Sequence, residues 1–86
     1  MFALMEIVFS RDAVKALDAI HRVERARIVE KLEAYAADPR SMPRQVKRLK
    51  GDPLLRLRVG DYRILFTEDG IVLTVVRIGH RREVYR

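Results

Sequence analysis

The segment LRLRVGDYRILF, Leu55 to Phe66, places Arg56, Arg58 and Arg63 in alternation with apolar residues on either side of a Gly60-Asp61 pair. A guanidinium presents planar donors that match phosphate oxygens two at a time, and it stays charged at any working pH. Gathered on one surface, the three would hold a phosphate or another oxyanion. Whether they gather depends on strand register. A two-residue turn at Gly60-Asp61 makes Val59 face Tyr62, Arg58 face Arg63, Leu57 face Ile64 and Arg56 face Leu65. Side chains alternate along a strand, so Leu55, Leu57, Val59, Tyr62, Ile64 and Phe66 then share a core face and the three arginines share the other. Like charges directly opposite repel and weaken a sheet unless water disperses them or an anion comes between them.

The charge of the whole chain points the same way. Its net +6 over 86 residues is concentrated in the middle. Residues 1–38 hold six Lys/Arg against seven Asp/Glu, residues 39–63 hold eight against two, and residues 64–86 hold four against three. A positive field so localised favours a polyanion, with RNA or DNA the commonest candidate. Arg40, Arg44, Lys47, Arg48 and Lys50 in the central segment, with Arg82 near the C-terminus, are the residues expected to meet an RNA backbone. The absence of cysteine excludes a disulfide framework and a thiolate zinc site. A cytoplasmic protein is the simplest expectation.

These residues need a scaffold, and a chain of this length fits a single domain spanning 1–86. LMEIVF, Leu4 to Phe9, reads as a first strand, with Met5 an alternative start for the chain. The apolar N-terminus is short, lacks a basic leader and carries Glu6, so neither a signal peptide nor a membrane span is expected. Ser10 is a good N-cap for a helix in which Ala13, Val14, Leu17 and Ile20 form one apolar stripe. A second helix runs from about Arg22 to Ala37, with Ile28, Leu32, Tyr35 and Ala36 buried, and the two make an antiparallel hairpin. DPRSMP ends it. Residues 38–53 form a basic connection with room for one helical turn around Gln45 to Leu49.

After Pro53 the period becomes two, giving strands at Leu54 to Val59, Tyr62 to Thr67 and Ile71 to Ile78, the last two joined through Asp69-Gly70. Continuing that register puts Arg63 opposite Val76 and Leu65 near Thr74, an apolar floor beside the arginines. RIGHRREVYR then brings His80, Arg81, Arg82 and Tyr85 towards the edge of this floor, with REVYR as a last short strand or extended tail. The expected class is α+β: a first strand, two helices, and a twisted, mainly antiparallel sheet of four or so strands on which the helices pack.

The run RLKGDPLLRLRVGDYRILF followed by VVRIGHRREVY resembles the RelE branch of the RelE/ParE toxin superfamily, over nearly the whole chain from IVFSRDAVKAL onward. The resemblance implies the toxin of a type II toxin-antitoxin system: a ribosome-dependent endoribonuclease that cleaves mRNA in the A site and is neutralised by a cognate antitoxin. It implies catalytic roles for Arg56, Arg58, Arg63, Arg81 and Tyr85, with His80 a candidate acid or base. Its partners would be the antitoxin and the ribosome with its mRNA, and the toxin-antitoxin complex would bind its operator DNA; no membrane is involved. Where relatives carry lysine at the alternating strand positions this chain has arginine, which is too weak an acid to serve as a general base. The sequence has no carboxylate pair, metal-ligand cluster, glycine-rich phosphate loop or nucleophile triad suggesting other chemistry, and neither a cofactor nor a metal is expected. The alternative within the superfamily is a ParE-like toxin that inhibits DNA gyrase and cuts nothing.

Overall fold

Ser10 joins the first strand to the first helix and fastens both to the sheet. Its hydroxyl oxygen accepts the Ala13 N–H at 3.1 Å, the capping bond its position promised, and its O–H donates to the Val76 carbonyl at 2.7 Å. In the computed structural model, which describes residues 4–84, strand β1 (Glu6–Phe9) precedes helices α1 (Arg11–Ala19) and α2 (Arg22–Ala37). A 3₁₀ turn at Pro39–Ser41 leads to β2 (Val46–Arg48), β3 (Leu55–Val59), β4 (Tyr62–Glu68) and β5 (Val72–His80). The α+β class is as expected, with a sheet of five strands in the order β1-β5-β4-β3-β2. All neighbours are antiparallel except β1, which runs parallel to β5.

The fifth strand lies where a helical turn around Gln45 to Leu49 was expected. Instead, Val46 pairs with Leu57, Lys47 with Arg56 and Arg48 with Leu55, and the Arg58 N–H donates to the Gln45 carbonyl at 2.9 Å. A β-branched Val46 packing against the core favours the strand, and Lys47 and Arg48 keep this edge from pairing with another chain.

Both helices cover one face of the sheet, α1 over β5 and α2 against β1 and β3. Ile28, Leu32, Tyr35 and Ala36 of α2 are buried as their spacing requires, together with Leu55, Leu57, Ile64, Phe66, Leu73 and Val75 from the strands. Each large apolar side chain fully removed from water contributes about 1.5–3 kcal/mol. In α1 the stripe is narrower than expected: Ala13 and Ile20 are buried, but Val14 is 44% exposed and Ala16 packs inward in its place. Tyr35 meets Phe66 edge to face at 5.1 Å between ring centres, and its hydroxyl donates to Glu68 Oε2 at 3.1 Å. Burial, reinforced by the Glu68 carboxylate, pushes the Tyr35 phenol up to about 12.

The β4–β5 connection is longer than a two-residue turn, and this moves the register. Asp69 Oδ1 accepts the N–H groups of Ile71 (2.9 Å) and Val72 (2.8 Å). Those bonds hold the Asp69 carboxyl below the usual carboxylate range and open the loop, so that Glu68 pairs with Leu73. Further along, Phe66 pairs with Val75 but Leu65 pairs with Arg77, so Val76 is an extra residue, a β-bulge. The expected pairs therefore do not form: Arg63 faces Gly79 rather than Val76, and Leu65 faces Arg77 rather than Thr74.

Candidate functional site

The β3–β4 register is the one the turn chemistry dictates. Gly60, at φ +57°, takes the left-handed conformation that a tight hairpin needs. Arg58 then pairs with Arg63 and Arg56 with Leu65. Leu55, Leu57, Val59, Ile64 and Phe66 are buried beneath the helices and Tyr62 packs partly against them, which leaves the arginines on the opposite, helix-free face. Arg58 is exposed, whereas Arg56 and Arg63 are half-buried. The Arg63 guanidinium is oriented by the hairpin itself: its Nη1 donates to the carbonyls of Gly60 at 2.9 Å and Tyr62 at 3.0 Å.

Register extends the cationic face in both directions. Lys47 on β2 lies across from Arg56, and Arg56 across from Leu65, which lies across from Arg77 on β5. One row thus crosses four strands with a basic residue at three of its four places. Arg77 was absent from the sequence-derived set. A signal for it exists, because the buried positions of β5 run Leu73, Val75, Ile78, two apart and then three. Such a skip in a strand pattern marks a bulge and turns the following residue to the other side.

In the second row, Arg58 and Arg63 are followed by Gly79. The C-terminal turn folds over this glycine. A Cβ at position 79 would stand 3.3 Å from Val84 Cβ, and Val84 is only 1% exposed. The turn is held by its backbone, since the His80 carbonyl accepts the N–H groups of Glu83 (2.8 Å) and Val84 (3.0 Å). Arg81 is tied to the β3–β4 turn: its N–H donates to the Asp61 carbonyl at 2.7 Å, and its Nε lies 3.8 Å from Asp61 Oδ1 in an exposed ion pair. Tyr85, expected at the site, lies outside the described residues.

Two other residues expected at the site, His80 and Arg48, turn to the helix side of the sheet. His80 pairs with Tyr62, and the two rings meet edge to face at 6.0 Å on the helix side of the sheet. Its Nδ1 accepts the Arg82 N–H at 3.4 Å, which leaves that nitrogen engaged in the turn. Arg48 pairs with Leu55, hence also on the helix side, and reaches towards the Pro53 carbonyl at 3.5 Å. Arg40 and Arg44 are exposed in the connection from α2 to β2, Lys50 in the β2–β3 turn and Arg82 in the C-terminal turn. Among the described residues no group of three or more His, Cys, Asp or Glu stands together to hold a metal, and no helix is long and apolar enough to cross a membrane.

Comparison with known proteins places this scaffold. The family model described as the ParE toxin of the type II toxin-antitoxin system parDE matches residues 7–85. The chain belongs to the ParE toxin family. It is thus a type II toxin of the RelE/ParE superfamily, and RelE structures are among its solved structural relatives. The archaeal RelE-RelB complex from Pyrococcus horikoshii OT3 matches with a TM-score of 0.78 at 22% identity, covering 95% of this chain and 100% of that one. The RelB-RelE antitoxin-toxin complex from Methanococcus jannaschii matches with a TM-score of 0.70 at 28% identity, covering 91% and 94%. The intact E. coli RelBE toxin-antitoxin complex gives 0.73 at 20% identity, covering 91% and 96%. No curated protein sequence matches. A chain of the ParE toxin family thus shares its fold with RelE toxins.

Proposed function

We propose that this toxin is an mRNA endoribonuclease that works in the ribosomal A site and is silenced by a cognate antitoxin. The observation that carries the reading is the Arg58–Arg63 pair, directly opposed on a helix-free face with Arg56 beside it. A sheet that merely needed solubility would disperse such charges; a phosphodiester seated between them turns the repulsion into binding.

The chemistry follows from what these groups can do. The 2'-oxygen attacks the adjacent phosphorus, the bond to the 5'-oxygen breaks, and the products are a 2',3'-cyclic phosphate and a 5'-hydroxyl. Charge grows on the non-bridging oxygens as the phosphorane forms. Arg56 and Arg63 are the clamp for that charge, and Arg63 arrives pre-oriented by its two carbonyl bonds. Arg58 adds field from across the pair, and Arg81 at the rim stabilises the leaving oxygen. Proton transfer is not arginine chemistry. Because His80 turns to the Tyr62 side of the sheet, we assign proton transfer to Tyr85 and to groups of the ribosome.

The antitoxin suits the same face. An acidic, partly apolar segment that folds on binding would neutralise the row from Lys47 to Arg77 and displace mRNA from it. The family model's ParE name favours a second reading, in which the chain blocks DNA gyrase. Induction in cells separates the two. Truncated transcripts with 5'-hydroxyl ends within the A-site codon, appearing before any DNA damage response, support the nuclease; gyrase-linked DNA breaks with intact mRNA establish the inhibitor.

A further inference from the structure

The bulge at Val76 changes which side chain β5 shows to the arginine face. If β5 continued in the register set by Phe66 and Val75, Arg77 would face Ile64, a fully buried residue, and Ile78 would lie across from Arg63. The extra residue reverses both placements. Ile78 enters the core at 5% exposure, and Arg77 comes out across from buried Leu65. Bulges serve to re-aim a side chain in this way, at some cost to the ladder.

Arg77 is exposed, and no ion pair among the described residues engages it. Asp12, in the first turn of α1, lines an open cleft beside it without pairing to it. The next β5 position on this face is Gly79, which Val84 covers, so Arg77 is the charged side chain β5 supplies there. It lies two strands from Arg56, roughly 10 Å along the row, with the Leu65 side chain between them. That separation exceeds what one phosphate bridges, while a nucleic-acid strand running along the row presents a further phosphate.

We propose that Arg77 holds the phosphate next to the cleaved one, giving the site a second backbone contact and fixing which linkage lies over the Arg58–Arg63 pair. This rests on the nuclease reading: Arg77 is a positioning residue for the substrate strand, outside the group that carries the reaction.

The test is single-turnover cleavage on programmed ribosomes, using the intact chain and its Arg77→Ala and Arg77→Lys variants. The mRNAs carry one neutral methylphosphonate at each linkage flanking the cleaved one in turn. Arg77→Ala should slow cleavage at subsaturating toxin about tenfold, the scale of one charge-assisted contact, and let the cut position spread to a neighbouring linkage. One neutral linkage should slow the unsubstituted chain by a similar factor and leave Arg77→Ala unaffected, because the two changes remove the same contact. Arg77→Lys should recover most of the rate. Losses that multiply at every linkage, or no loss in Arg77→Ala, overturn the second contact while the nuclease reading stands. An unsubstituted chain that cuts no mRNA overturns both.

Discussion

Arg58 and Arg63 stand directly opposite one another on β3 and β4, but only Arg63 has its guanidinium bonded to the carbonyls of the intervening turn. The two are therefore unequal in what they do for the fold. Arg58 contributes repulsion and little else, whereas Arg63 helps to close its own hairpin.

Arg58→Gln should accordingly stabilise the isolated toxin, raising its melting midpoint by roughly 2–4 °C at low salt. The gain should shrink as salt screens the pair. Arg63→Gln should lower the midpoint or leave it unchanged, since relief of repulsion is offset by lost hairpin bonds. Thermal scans of both variants at two salt concentrations check this, and equal gains would show the turn bonds to be of no consequence.

His80 adds an accepting Nδ1, 3.4 Å from the Arg82 N–H, to a C-terminal turn held by its backbone. An asparagine side chain can place its Oδ1 in that position, and alanine cannot. We expect His80→Asn to keep translation inhibition within about threefold and His80→Ala to lose more, with the shape of the pH–rate profile unchanged in both. A limb of that profile that vanishes in both variants would make His80 the acid or base after all.

Gly79 leaves just enough room for Val84. Gly79→Val should lift the turn that carries Arg81 while leaving the core beneath the helices packed, so inhibition should fall with the circular dichroism unchanged. Faster trimming of the C-terminus by a carboxypeptidase is the independent sign. Unaltered trimming and unaltered inhibition would mean the turn does not rest on this glycine.

The Tyr35 phenol is pushed up to about 12, against about 10 in an unfolded chain. Its neutral form is therefore favoured by folding, and its contribution is fully present below pH 10 and lost as pH rises towards 12. Tyr35→Phe should be less stable at neutral pH, because the bond to Glu68 is gone, yet should lose less stability between pH 10 and 12. Urea melts across that range measure it.

Much of the fold was legible because local chemistry and burial agreed. Ser10 announced the first helix, Gly60-Asp61 fixed a register that set every pair from Val59–Tyr62 to Leu55–Phe66, and the α2 stripe marked its own buried side. What escaped detection was set by tertiary pairing. Val46 to Arg48 is a strand because β3 offers it an edge, and three residues carry too little pattern to say so. The β4–β5 register slipped because the Asp69 carboxylate captures two N–H groups and lengthens a turn that reads as two residues. The Val76 bulge hid Arg77, because the bulge turns it to the arginine face, while the slip changes only which β4 residue it meets. His80 was placed with its basic neighbours by sequence proximity, whereas strand alternation turns it towards Tyr62.

Whether the arginine face cuts mRNA is read most directly by mapping transcript ends on purified, programmed ribosomes incubated with the toxin and with its Arg63→Ala variant. New 5'-hydroxyl ends should appear within the A-site codon, formed at least about a hundredfold more slowly by Arg63→Ala although the variant remains folded. Full-length mRNA at toxin concentrations that stop translation, or equal cleavage by the variant, would contradict the nuclease reading.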